Sequence, residues 1–195
     1  MNDRLTLSIP PWLTEYALPK TDYSSVEHRI ELALNLAKVN IAKKTGGPFG
    51  AVIFSVDDWR PLTLGVSLVT HTNCSLAHAE IVAIMRAEQM LGCYDLSQIK
   101  CELVTSSEPC AMCFGAILWS GVCSLVYGST SSDVEEIGFD EGAKPENWQE
   151  ALQSRGIATK GPILQEEAKA VLREYQEKKG EIYNSGFNKF SALNR

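Results

Sequence analysis

Residues 101–128, CELVTSSEPCAMCFGAILWSGVCSLVYG, read as strand, helix and strand in succession. Glu102–Thr105 is a short strand, Cys110–Trp119 a helix and Val122–Tyr127 another strand. No charged residue occurs from Pro109 to Ser132, so a membrane span has to be weighed. The stretch lacks flanking Lys or Arg and carries Ser120-Gly121 at its middle. A buried helix followed by a strand fits it better.

Working outward toward the N-terminus, Val26, Ile30, Leu34, Ala37 and Ile41 recur at three- and four-residue spacing. They predict an amphipathic helix from about Ser24 to Lys43, ended by Gly46-Gly47-Pro48. Phe49–Val56 and Leu62–Val69 read as strands joined by a turn at Asp57-Asp58-Trp59-Arg60. A loop through Thr70–Ser75 leads to a helix from about Ala77 to Leu91. Beyond Gly138, helices are expected near Pro145–Ser154 and Glu166–Glu177. Helix, two strands, then alternating helix and strand predict a three-layer α/β/α sandwich around a mixed sheet.

At 195 residues the chain is expected to form a single domain, 1–195. Residues 1–22, with Pro10, Pro11 and Pro19, form an arm over the body, and 180–195 a C-terminal tail. The net charge of −6 argues against a nucleic-acid backbone as partner. With no secretory signal and ample core, the six cysteines do not read as a disulfide framework. A cytoplasmic location is expected. Cys74, Cys93, Cys101 and Cys123 are read as small buried apolar residues.

Cys110 and Cys113 differ. They sit at the start of a predicted helix, three positions apart and so on one face. His78 and Glu80 begin another helix. Two helix N-termini aimed at one point gather an imidazole and two thiolates, and their dipoles favour the deprotonated sulfur that binds metal. Three such ligands leave one tetrahedral position open for water, as in catalytic rather than structural zinc sites. Glu80 beside that position is suited to acid/base work. A Cys-x-x-Cys alone would equally suit a redox motif or half of a closed structural zinc site. The combination His-x-Glu with Pro-Cys-x-x-Cys is a known signature of zinc deaminases.

With these motifs in place, the chain resembles the cytidine deaminase superfamily and, within it, the guanine deaminase branch of small bacterial enzymes. The resemblance runs from about Ile30 to Asn184. It is carried by Gly47-Pro48-Phe49-Gly50-Ala51-Val52, His78-Ala79-Glu80-Ile81, Thr105–Cys113, Gly115–Gly121 and Gly138-Phe139-Asp140-Glu141-Gly142. It implies a five-stranded sheet, one zinc per subunit on His78, Cys110 and Cys113, and a homodimer. It also implies that Phe49 lies against the substrate ring, that Trp119 walls the pocket, and that the Ala79 backbone meets ring polar atoms. Glu141 becomes a second catalytic carboxylate, with Asp140 beside it as a substrate contact. Glu181-Ile182-Tyr183-Asn184 matches a segment that closes over the pocket of its own or a partner subunit, and Ser185–Arg195 reads as a mobile terminus.

One position departs from the pattern. Guanine-type members place an Asn at the end of the second strand, where Gly65-Val66-Ser67 stands here. A hydroxyl cannot offer a fixed donor–acceptor pair as an amide does. Asn73 or His71 on the next loop is a possible substitute, or a plain turn residue. The implied reaction is hydrolysis of guanine to xanthine and ammonia, with other aminopurines and aminotriazines such as ammeline as further candidates. The rival readings are a cytosine or nucleoside deaminase, a tRNA adenosine deaminase, and a non-catalytic zinc module.

Overall fold

The structure is a computed structural model that describes residues 6–184. The expectation for Ser185–Arg195 lies outside these residues. A short helix α1 (Pro11–Thr14) and the long α2 (Val26–Lys43) precede a hairpin of β1 (Gly50–Ser55) and β2 (Pro61–Val66). Next come α3 (Val69–Thr72), α4 (Ala79–Leu91), β3 (Cys101–Ser107), α5 (Ala111–Ser120) and β4 (Ser124–Ser129). The chain continues through α6 (Ser131–Glu136), α7 (Trp148–Gln153), β5 (Ala158–Lys160) and α8 (Gln165–Glu177).

The five strands form one sheet in the order β2-β1-β3-β4-β5. β1 pairs antiparallel with both β2 and β3, whereas β3–β4 and β4–β5 are parallel. The sheet is mixed, as expected. Its side chains alternate between two cores, as the two-residue period of a strand demands. Val52, Phe54, Val104 and Val126 face α2 and α8. Ala51, Ile53, Leu103 and Leu125 face α4, α5 and α7. That alternation makes the three layers.

The ends of α2 follow from its sequence. Ser25 caps its first turn by accepting from the His28 N–H, and Lys44 turns left-handed at φ 56° to end it. A buried ion pair then fixes α2 to the sheet. Arg29 Nε donates to Glu102 Oε1 at 2.7 Å, and its Nη1 donates to the Tyr23 and Ser24 carbonyls. At the other end, the buried Asn40 amide donates to the carbonyls of Gly47 (2.9 Å) and Ser67 (2.8 Å). It thereby ties the loop before β1 to the segment after β2.

Three local expectations change. Part of the loop after β2 is helical, with Asn73 left-handed at its end. β5 and α6 are additional elements: three residues are too few for a periodic signal, and α6 carries a single buried apolar residue, Val134. Of the four cysteines outside the metal motif only Cys101 is buried; Cys74, Cys93 and Cys123 are half-exposed. All six are free. Among the described residues no helix is long and apolar enough to cross a membrane. The uncharged stretch instead supplies α5 and β4.

Candidate active site

The first turns of α4 and α5 meet over one end of the sheet. His78 is the N-cap of α4 and Cys110 the N-cap of α5, both in extended backbone conformation. Gly65 lets α4 approach β2: a Cβ there would lie 2.2 Å from the Ala79 carbonyl oxygen. The ligand atoms of His78, Cys110 and Cys113 all fall within 4.8 Å of one another. Cys110 Sγ is 3.5 Å from His78 Nδ1. Sulfur and nitrogen bound tetrahedrally to one zinc stand about 3.6 Å apart, so the donors present fit that metal.

The charges are tightly coupled. The Cys110 sulfur is driven down to about 4, first by hydrogen bonding with Cys113 and then by His78 against the cost of burial. Cys113 moves the opposite way, because it hydrogen-bonds that thiolate and is itself buried. Burial works against a charge on His78, yet its hydrogen bond to Cys110 raises its pKa overall. Glu80 is buried and pushed up by desolvation and then by the Cys110 charge. Glu141 is lifted to about 9 by burial, with Cys110 and Glu80 adding to the effect and Lys144 opposing it.

These groups open into a cavity of about 320 Å³, lined among others by Phe49, Ala79, Glu80, Glu108, Glu141 and Tyr183. Phe49 is half-buried, its ring edge-on to Phe139 at 5.1 Å, and Phe139 in turn meets Tyr183 at 4.9 Å. Ala79 brings a first-turn N–H that no intrahelical carbonyl can reach. Glu141 is held beside the metal ligands by its own carbonyl, which accepts the Ala111 N–H at 2.9 Å.

A family model described as the cytidine and deoxycytidylate deaminase zinc-binding region matches residues 24–129, more than half of the chain. The chain belongs to this family. It is a zinc-dependent deaminase, an aminohydrolase in reaction class. The guanine deaminase of Bacillus subtilis (strain 168) is 42% identical over 112 residues, covering 57% of this chain and 69% of that protein. A guanine deaminase structure from Nitrosomonas europaea superposes with a TM-score of 0.86 at 45% identity, covering 91% of this chain and 98% of that one. A mutant of the protein NE0047 in complex with 8-azaguanine gives 0.86 at 46% identity, covering 91% and 99%.

Two sequence expectations need correction. Trp119 does not wall the cavity of its own chain: it projects from the last turn of α5 and is 82% exposed. Ser67 does not line the cavity either. It is buried at the end of the hairpin, and its hydroxyl pairs with the Tyr183 hydroxyl at 2.7 Å. His71 and Asn73 are exposed and outside the cavity lining. Asp140 lies at the rim, where its Oδ1 accepts the Gly142 N–H and shapes the loop around Glu141.

Other cavity residues carried no site assignment in the sequence reading. Ser107 and Glu108 precede the Cys-x-x-Cys motif and Met112 lies inside it, and that proximity was the available signal. Asn184 had none. Its amide clasps the loop of Glu141 by accepting the Asp140 N–H and donating to the Gly138 carbonyl.

Proposed function

We propose that this enzyme hydrolyses guanine to xanthine and ammonia, with one zinc per chain held by His78, Cys110 and Cys113. The observation that carries this reading is the convergence of two buried carboxylates, Glu80 and Glu141, on the three metal donors within one small cavity. Its volume is at the low end of the roughly 300–1,000 Å³ typical of ligand pockets, which suits a free base. The relatives named as guanine deaminases support the same choice.

When bound, zinc supplies Lewis acidity and a water acidic enough to react near neutral pH. Glu80, in the first turn of α4, takes one proton of the attacking water and passes it to the adjacent ring nitrogen, then takes the second and passes it to the departing amine. Glu141 accepts from the ring N–H and the amine as a carboxylate, a form that zinc on Cys110 would favour by neutralising a charge that helps to raise its pKa. Phe49 lies against the ring face, which favours any planar heterocycle. The Ala79 N–H meets a ring polar atom. Tyr183 and Asn184, from the C-terminal segment of the same chain, cover the outer side and exclude water. Asp140 shapes the rim, and Ser67 acts through Tyr183.

The outer face of α5 supports a homodimer. Ala111–Trp119 contains no charged side chain, and Trp119 stands out from its end. A helix apolar on all sides calls for cover, which a second copy provides. Six free cysteines agree with a reducing cytoplasm.

The test is ammonia release from guanine, guanosine, adenine, cytosine, cytidine and ammeline by the zinc-loaded protein. Guanine is expected to react fastest. Faster release from cytosine or cytidine would transfer the enzyme to the pyrimidine reading.

A further inference from the structure

Lys144, which the reaction sequence above leaves unused, is nearly buried beside the cavity, its side chain 9% exposed. Its ammonium donates to Glu108 Oε1, to the Pro109 carbonyl at 2.8 Å and to Ser131 Oγ at 2.9 Å. All three N–H groups are thereby satisfied, as a buried ammonium requires. The Trp148 ring covers the same nitrogen, with its centroid 4.7 Å away. One atom thus joins the β3–α5 connection, the start of α6 and the loop that carries Glu141.

We propose that Lys144 is a positioning residue that sets the Glu141 carboxylate through Ser131, a role that rests on the Glu141 assignment above. Ser131 Oγ is 3.0 Å from Glu108 Oε1 and 3.5 Å from Glu141 Oε2. A serine has one proton to give. The Ser131 hydroxyl serves Glu108 first, with Glu141 at the outer limit of its reach, and the ammonium on both Ser131 Oγ and Glu108 fixes it between the two carboxylates. Without the ammonium, Glu108 and Glu141 face each other with one hydroxyl between them, and the positive charge beside Glu141 is gone. Repulsion from Glu108 then moves the Glu141 carboxylate away from Ser131. The node also touches the metal site, since the Pro109 carbonyl that Lys144 holds directly precedes Cys110, and zinc content separates the two effects. Cys110 is held by its place at the start of α5, where its carbonyl accepts the Phe114 N–H at 2.8 Å.

The experiment compares zinc-loaded wild type, Lys144→Met, Glu141→Gln and the double variant, on whichever screened amine the wild type turns over. Lys144→Met is expected to keep its zinc content and to lose roughly 10- to 100-fold in kcat, the usual range for a group supporting a catalytic residue from behind. In the Glu141→Gln background it should add no further loss, because both changes act on one group. Wild-type kcat in Lys144→Met, additive losses in the double variant, or activity lost in proportion to zinc would each overturn the proposal. A crystal structure of Lys144→Met gives a reading that needs no substrate. The Glu141 carboxylate should have left Ser131, and an unmoved carboxylate counts against the role. If the wild type releases no ammonia from any screened amine, the substrate reading fails while this structural test still stands.

Discussion

The hydroxyls of Ser67 and Tyr183 lie 2.7 Å apart although 116 residues separate them in the chain. Gly47 makes the approach possible, since a Cβ there would fall 2.1 Å from the Tyr183 hydroxyl. The pair fastens the C-terminal segment over the cavity of its own chain. It also explains how a serine serves at this position, because its hydroxyl holds the tyrosine that lines the cavity.

Tyr183→Phe removes that hydrogen bond while keeping the ring against Phe139. The expected cost is about 1 kcal/mol, or about a fivefold rise in KM for guanine, with kcat affected less. Ser67→Asn places a larger group where the phenol sits and should expel the segment, making it sensitive to limited proteolysis near residue 183. Unchanged KM in the first variant and unchanged cleavage in the second would remove the latch.

Glu80→Ala should retain zinc and lose on the order of 10²- to 10⁴-fold in kcat, the range of a general acid–base group. Metal analysis and ammonia release on the same preparation check this. Chelation of the wild type should abolish turnover, and added zinc should restore it. Near-normal turnover in the zinc-bound variant would exclude Glu80 as the proton carrier.

Arg29→Met leaves Glu102 charged and without its partner beneath α2. Breaking a buried pair in this way costs about 3–5 kcal/mol. Denaturant unfolding should show the loss, while the Arg29→Met/Glu102→Gln double variant should recover part of it. A single variant as stable as wild type would mean that the pair contributes little.

Asp133 closes a capping box at the start of α6, accepting from the Thr130 N–H and hydroxyl at 2.8 Å and from Gln165 at 2.7 Å. Burial would raise its pKa, but the hydrogen bonds from Gln165 and Thr130 and the nearby Lys169 charge outweigh it and hold the pKa below the ordinary value. A carboxyl depressed in the folded state stabilises above its unfolded pKa of about 3.9, and that contribution fades as pH falls through the folded value. Asp133→Asn should therefore be less stable than wild type at pH 7 by about 1 kcal/mol. The gap should narrow as pH drops below about 4. Thermal melts at both pH values measure it; a gap independent of pH contradicts the charge argument.

The sequence by itself determined the layers of this protein and the centre of its site. Core faces such as Val26, Ile30, Leu34 and Ala37, and the alternating residues of β1, are encoded within a few neighbours, because helix and strand periods are local. His78, Glu80, Cys110 and Cys113 were legible for a similar reason: helix starts and i, i+3 spacing place donors on a common face before any packing is known. β5 escaped because three residues carry no period.

Only the tertiary structure decided which distant side chains meet. Strand register places Ser67 at the end of the hairpin, yet nothing local tells that Tyr183 takes its hydroxyl. The sequence placed Trp119 on α5 without telling which way it would point, and the packed helix turns it outward. Lys144 reads as one more surface lysine until Glu108, Pro109 and Ser131 close around it. Each of these depends on how separate elements pack, and packing sums many weak contacts across the whole chain. Local patterns fix the cluster of metal donors, whereas the contacts that shape the cavity around it arise between segments that meet only when the fold closes.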